Sequence, residues 1–536
     1  MSKKYMTEAN RIAVIGGGVT GLATCYYGAK HYPDAEITLF EGSNRFGGAI
    51  ESVFVEMDDG RAIVCEMGVR TLRANAPRAI VMIDLIRELG LEHELAFLLK
   101  SDNIASRRYI YYPDHLVAIP VANVSKSIVH IPAPDAVTLK HICTLVRMVF
   151  TEPLSKGLMT GIGQGLFTKR PLNVVNDDSI GNLLVRRFGK QIAENIGSAI
   201  IHGLYAGNMH KLSARALTPG LWALDTRFPL VNFHSRVTKQ PTNVSPMDDI
   251  TQKWIKDETD MLKRIRNGPA GDLEKRIFRD ISVFSFKRGV GRLTERLQEE
   301  IYAMRNIKIR SNSPVKSISG TNNDMLVHTD FHSEPFSHII STTSLPTTLD
   351  LLGIKDLPTI THVPVMTVAF CYATPNLNHP HRGFGYLIPE SVPPQQNPEK
   401  ALGVIFDSDA ITNQDHFQGT KISVMLGGHY WSSHASLPTT DEGVAMAKSV
   451  LQRHLGITEE PLKVFARLKK EAIPQYPVGH HSRLKRVHEI LKDYGGRMRV
   501  AGNSYMGIGV HDCLFSARRI VEKLDDRDRT GLEMYQ

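Results

Sequence analysis

Three glycines near the start of the chain have a spacing that can do chemistry. Gly16, Gly18 and Gly21 stand in Gly16-Gly17-Gly18-Val19-Thr20-Gly21, directly after an apolar run and ahead of a helical pattern. In such a turn the first glycine allows the tight bend. The second lets a pyrophosphate approach the backbone, and the third lets helix and strand pack closely. The phosphates then rest on a helix N-terminus, where unpaired N–H groups and the helix dipole favour negative charge. Glu41 follows twenty residues after Gly21. A carboxylate there accepts hydrogen bonds from ribose hydroxyls and repels a 2′-phosphate, which disfavours NADP.

These residues need elements to hold them. Arg11–Ile15 reads as a short buried strand, Val19–His31 as a helix and Glu36–Phe40 as a second strand, a βαβ start. Residues 78–89 carry apolar side chains at a helical period, Ile80, Ile83, Ile86 and Leu89. Helical patches follow at 139–150 and Ile180–Phe188, and 235–275 reads as an exposed helical insertion or a long loop. A globular pattern restarts over 284–297. Short strands are expected across 307–344 and at 363–372, 383–388, 401–406 and 422–426. The last unit is a strand at 497–500, a glycine turn at 502–509 and a helix over 510–524.

Composition narrows the function. The 536 residues suit two or three domains, and 42% hydrophobic with 22% charged residues is ordinary for a globular protein. Five scattered cysteines without a CxxC pair predict neither a disulfide framework nor a zinc site. The 22 histidines, His429, His480, His481 and His511 among them, are not at metal-ligand spacings, so no metal is expected. No GxSxG elbow is present. The net charge is +9, and residues 121–220 hold eleven Lys/Arg against five Asp/Glu. Aromatic residues are not interleaved with these charges. An anionic membrane surface is therefore a better expectation than nucleic acid. No apolar stretch is long enough to span a bilayer. The N-terminal segment lacks the apolar core of a secretory signal and, with Glu8, makes a poor mitochondrial presequence.

Beyond Glu41 the chain reads Gly-Ser-Asn-Arg45-Phe-Gly47-Gly48-Ala49. This resembles the second fingerprint of the FAD-dependent amine oxidase superfamily, where glycines let backbone approach the flavin or its phosphates. Further blocks extend the likeness from Arg11 to Leu524. They are Glu66-Met-Gly68-Val69-Arg70, Gly203-Leu-Tyr205-Ala206-Gly207, Gly383-Phe384-Gly385-Tyr386-Leu387-Ile388-Pro389, Ile473-Pro474-Gln475-Tyr476-Pro477-Val478-Gly479-His480, and the segment 502–518. With them the chain resembles the oxygen-dependent protoporphyrinogen oxidases of mitochondrial type, in their fungal branch. Two departures stand out: His511 where asparagine is usual, and a polar stretch, 236–269, longer than the family needs.

The resemblance implies FAD held by Gly16–Gly21, Glu41, Arg45, Gly47, Gly48, Ala49, Gly68, Val69, Arg70, Thr71, Val315, Asn503, Ile508, Gly509 and Val510. It implies that Arg108, or its neighbour Arg107, pairs with a porphyrin propionate, and that Phe384, Val365 and Leu345 line the macrocycle. No side chain is expected to be an essential acid or base. The expected fold is α/β. A Rossmann-type FAD domain, discontinuous in sequence (1–105, 276–330, 470–536), carries a mixed β substrate domain (106–120, 226–275, 331–469) and an inserted helical, membrane-associated region (121–225). The implied partners are protoporphyrinogen IX, O2, a membrane surface, ferrochelatase and a second copy in a homodimer. The implied location is the mitochondrial inner membrane, peripheral, on the intermembrane-space side. An FAD amine or polyamine oxidase and an inactive flavin-binding scaffold are the alternatives.

Overall fold

The computed structural model describes the chain apart from residues 1–10, 57–61, 75, 77, 103–106, 120–150, 169, 172–173, 175, 226–248, 321–324, 358, 527–528 and 536, and the side chains of 162, 166 and 249–254. The helical patch expected at 139–150 therefore lies outside the described residues.

Arg11–Ile15 forms the centre of a five-stranded sheet, ordered Ile307–Arg310, Glu36–Phe40, Arg11–Ile15, His338–Ser341, Met498–Val500. Every pairing is parallel. A parallel sheet is covered on both faces, so its strands read as continuous apolar runs. Alternate residues accordingly enter two different cores. Ile12, Val14, Ile37 and Leu39 pack among the helices Val19–His31, Ala79–Glu88, Gly291–Ala303 and Val510–Glu522. Ala13, Ile15, Phe40 and Ile339 pack on the other side. In register, Ile15 lies beside Ser341 and Ser341 beside Val500. The turns at Gly16, Thr342 and Gly502 thus leave the same carboxyl edge side by side.

A second, mixed sheet has seven strands: Lys463–Gln475, Thr361–Tyr372, Thr420–Gly427, Ala401–Ile405, Gly385–Leu387, Arg108–Tyr111 and Leu116–Ile119. One pairing, Gly385–Leu387 with Arg108–Tyr111, is parallel; the rest are antiparallel.

Three expected domain boundaries shift. The segment 249–280 forms the helices Asp249–Arg266 and Ala270–Asp280. They pack on the nucleotide-binding side through Met261, Ile265, Leu273 and Ile277, with Arg78 paired to Glu258 at 2.8 Å. His338–Ser341 and the helix Leu345–Leu351 belong to the parallel sheet and its core, not to the substrate domain. The strand Lys463–Gln475 stays in the substrate sheet past residue 470.

In the helical region Asp225, with a side chain 0% exposed, accepts from both Arg186 and Arg187, and Arg186 also pairs with Asp178 at 2.9 Å. Arg170 lies over the Trp222 ring at 3.7 Å. Three of the basic residues that raise the local charge of the sequence, Arg170, Arg186 and Arg187, therefore turn inward, whereas Lys156, Lys190, Lys211 and Arg215 are exposed. Burying cations this way requires paired acids, and Asp178 and Asp225 supply them. Among the described residues, no helix is long and apolar enough to cross a membrane.

Burial also sets the response to acid. It pushes His338 and His480 down to about 3, and His454 and His481 to about 4, from 6.5. Between those values the unfolded chain binds protons that the folded chain refuses at these four sites, so the stability they contribute is full above pH 6.5 and lost as pH falls toward 4. Calorimetric melting should show Tm dropping across that window. His480→Phe keeps a ring to stack on Tyr476, 3.9 Å away in the native chain, and should lose less stability over it than the parent; equal losses would contradict this assignment.

Candidate cofactor and substrate site

The glycine turn is shaped by what a side chain would strike. Gly16 has φ +103°. A Cβ on Gly21 would sit 1.8 Å from the Gly16 carbonyl oxygen, and one on Gly17 would sit 2.6 Å from the Phe46 ring. At Gly18 the nearest neighbour would be Gly48 Cα, at 3.8 Å. Gly21 thus serves chain packing, while Gly18 leaves an approach to the backbone open. Glu41 Oε2 accepts from the Gly17 N–H at 2.7 Å, which fixes its carboxylate beside the turn. Gly18 also bridges to Gly47, whose N–H donates to the Gly17 carbonyl at 2.9 Å. Two glycine loops, 16–18 and 47–48, therefore face each other at the N-terminus of the helix Val19–His31, which has no side-chain cap.

Arg45 donates to the carbonyls of Phe46, Gly48 and Ile50, so its guanidinium shapes the loop that carries Ala49. A Cβ on Gly68 would meet the Ala49 carbonyl oxygen at 2.0 Å, so the 68–71 segment presses against the same loop. The Arg70 guanidinium turns away to Asp407 at 2.8 Å and Ser423 at 3.0 Å, both in the substrate domain. It ties the two domains together, so Arg70 itself has only its backbone left to meet a cofactor. Glu66, at the head of this block, is 4% exposed. Burial raises it to about 7, although Ser52 and the Val290 N–H both donate to it. Val315 follows Pro314, which lies 3.5 Å from an ideal Cβ on Gly42 and so flanks Glu41.

The other end of the chain completes the edge. Gly502 has φ +119°, and its ideal Cβ lies 3.5 Å from both Thr20 Oγ1 and the Thr342 carbonyl oxygen. Tyr476 donates its hydroxyl to the Asn503 carbonyl and accepts from the Gly507 N–H at 3.2 Å. Ile508, Gly509 and Val510 then open the helix Val510–Glu522, again without a side-chain cap.

On the substrate sheet, Arg108 and Phe384 are neighbours because their strands pair. The Arg108 guanidinium lies over the Phe384 ring at 5.2 Å. Burial, and then the charge of Arg73, hold the Arg108 pKa below its ordinary value. The adjacent Arg107 is exposed, and its carbonyl accepts the Phe384 N–H at 3.1 Å. Val365 pairs in register with Lys469, whose Nζ donates to the Ala49 carbonyl at 2.8 Å. The face bearing Val365 is thereby held toward Ala49. Leu345 is 0% exposed in the core behind the parallel sheet. It supports that sheet and does not line a wall as expected; its apolar character could not distinguish the two roles. Lys469, Arg73 and Tyr476 were not singled out as site residues in the sequence. A charged, uneven run such as Lys463–Gln475 hides the edge strand of the substrate sheet.

The family description "Flavin containing amine oxidoreductase" matches residues 19–524. The chain belongs to the flavin-containing amine oxidoreductase family. Within it, the protoporphyrinogen oxidase of Schizosaccharomyces pombe is 30% identical over 96% of this chain and 98% of its own. That of Saccharomyces cerevisiae is 27% identical over 92% and 94%. The chain is thus a member of the protoporphyrinogen oxidase branch, with fungal relatives. A solved structure of a candidate protoporphyrinogen oxidase from Exiguobacterium shares the fold, with a TM-score of 0.71, 23% identity, and coverage of 97% of this chain and 99% of that one.

The family makes this chain an FAD-dependent oxidoreductase, and its residues fit the cofactor. The open approach at Gly18, the facing glycine loops and two uncapped helix N-termini suit a dinucleotide carrying a pyrophosphate. A Gly21→Ala variant should retain little flavin, because the added methyl cannot coexist with the Gly16 carbonyl. Flavin absorbance per folded protein, with folding checked by circular dichroism, measures this; full flavin content would refute the packing argument.

Proposed function

We propose that the chain oxidises protoporphyrinogen IX to protoporphyrin IX in heme biosynthesis, with O2 as acceptor and hydrogen peroxide as by-product. When bound, FAD supplies the redox chemistry: three successive two-electron oxidations, each taking a hydride from a methylene bridge. The observation that carries the substrate reading is Arg108 set over Phe384, on the sheet whose register also points Val365 toward Ala49. An apolar macrocycle bearing carboxylates asks for that pairing of ring, aliphatic wall and guanidinium.

The protein's part is to bind and orient. Gly16–Gly21, Glu41, Gly47–Ala49, the backbone of Gly68–Thr71, Val315, Asn503 and Ile508–Val510 would hold the cofactor. Arg108 would take a propionate, with Phe384 and Val365 against the ring. Pyrrole protons leave to water or backbone groups without an essential side-chain base. Arg108→Ala should raise KM for protoporphyrinogen by roughly tenfold to a hundredfold, the loss of one charged hydrogen bond, with flavin content unchanged. Arg108→Lys should recover part of it. An unchanged KM would remove Arg108 from the substrate site. In the same assay, anaerobic bleaching of the flavin by spermine in place of protoporphyrinogen would favour an amine oxidase.

The poorly soluble substrate supports a peripheral membrane setting, with the mitochondrial inner membrane as its place. Exposed Met159 (68%), Phe167 (69%) and Leu224 (50%) on the helical region support this better than its net charge does. Purified protein should sediment with anionic liposomes, and a Met159→Ser/Phe167→Ser double variant should sediment several-fold less. Full recovery of the parent protein in the supernatant would count against membrane contact.

A further inference from the structure

Three ligand-bearing side chains meet where the helical region touches the substrate sheet. His202 lies on the helix Ser198–Tyr205 and is 1% exposed. His429 lies on the short helix Gly428–Trp431, and the exposed Glu390 follows the strand Gly385–Leu387. One nitrogen from each imidazole and a carboxylate oxygen of Glu390 all lie within 4.8 Å of one another. The histidine Nε2 atoms are 3.0 Å apart. We propose that His202, His429 and Glu390 form a binding site for one divalent transition-metal cation of the zinc class.

The hydrogen bonding already prepares the ligands. His202 Nδ1 lies 2.8 Å from the Ile388 carbonyl oxygen. A carbonyl can only accept, so Nδ1 carries the proton and Nε2 presents its lone pair. Orientation of a ligating imidazole by a backbone carbonyl on its far nitrogen is the usual outer-shell arrangement. In the metal-free state His429 Nε2–H must then donate to His202 Nε2. A metal would replace that proton, which moves to His429 Nδ1 as the ring changes tautomer. Tetrahedral zinc with N ligands at about 2.1 Å sets the two nitrogens roughly 3.4 Å apart. The rings therefore need to part by only a few tenths of an ångström.

The rest of the shell fits. The Glu390 N–H donates to Ser198 Oγ at 2.9 Å, and the His429 N–H donates to the Ala206 carbonyl at 2.8 Å, so backbone bonds anchor both segments to the helix carrying His202. Two nitrogens and one carboxylate suit zinc and its neighbours rather than calcium or magnesium, which prefer all-oxygen shells. Lys211 and Lys400 add positive charge near His429 and oppose a cation. The exposed carboxylate offsets part of it and leaves a solvent route in. Sequence spacing could not show the group, because its members come from residues 202, 390 and 429.

The test uses full-length, chelator-treated holoenzyme and zinc chloride. One equivalent of zinc should bind at on the order of micromolar concentration and raise Tm by mass action. His429→Gln and the surface substitution Glu390→Gln should each weaken binding at least roughly tenfold, since losing even an outer-shell partner costs that much. His434→Gln, an exposed histidine outside the group, should leave binding unchanged. No zinc bound by the parent, or equal binding by His429→Gln and Glu390→Gln, overturns the proposal and leaves a histidine–histidine hydrogen bond. Flavin content of every variant confirms that it is folded.

Discussion

The constraint on which the cofactor edge depends is the contact between Gly21 and the Gly16 carbonyl, where a single methyl would stand 1.8 Å from oxygen. It draws the helix Val19–His31 against its strand and aims that helix's N-terminus at the carboxyl edge of the sheet. The edge has value only because two other turns arrive beside it. Parallel pairing of Arg11–Ile15 with His338–Ser341, and of that strand with Met498–Val500, puts residues hundreds of positions apart in one line. An ideal Cβ on Gly502 lies 3.5 Å from Thr20 Oγ1, and one on Gly16 lies 3.0 Å from Thr342 Oγ1. A cofactor cradle built from both ends of the chain is thus a consequence of strand order.

The substrate domain must be held against that cradle without sharing its sheet. Polar bonds do this from three directions. Arg70 reaches from the nucleotide side to Asp407 and Ser423, and Lys469 reaches from the substrate sheet to Ala49. Tyr476 bonds the last glycine turn, while its neighbour Gln475 donates to the Tyr205 carbonyl at 3.0 Å. Asp177 accepts from Ser213 and from the Gly479 N–H, so the helical region joins the same junction. The blocks around Tyr205 and Tyr476 look unrelated in sequence. In the structure they are one joint.

Local elements were legible where burial on both faces left continuous apolar runs, as in Arg11–Ile15 and Glu36–Phe40. The glycine turn was legible because Gly16, Gly17 and Gly21 leave no room there for a side chain. What stayed hidden depended on distant partners. The helices Asp249–Arg266 and Ala270–Asp280 present only a thin apolar line, Met261, Ile265, Leu273 and Ile277, amid charge. That pattern shows a buried stripe and not which domain buries it. Lys463–Gln475 reads as charged and irregular, yet pairs along most of its length with Thr361–Tyr372. Leu345 illustrates the same gap in the site, since an apolar residue carries no sign of whether it faces a ligand or a core.

The helical region shows how charge counted along a chain overstates the charge that the fold presents. Its surplus of basic residues suggested a surface drawn to anions, but Arg186 and Arg187 close on Asp178 and Asp225 inside it. Desolvating guanidinium groups requires that each find a carboxylate, and once paired they no longer project a field into solvent. Beside the exposed Lys156, Lys190, Lys211 and Arg215, the described part of the region offers outward the apolar Met159, Phe167 and Leu224. Attraction to a bilayer through these residues would depend little on salt, whereas attraction through lysine and arginine would fall away within a Debye length. The salt dependence of membrane binding is therefore the property that separates the charge read from the sequence from the surface formed by the fold.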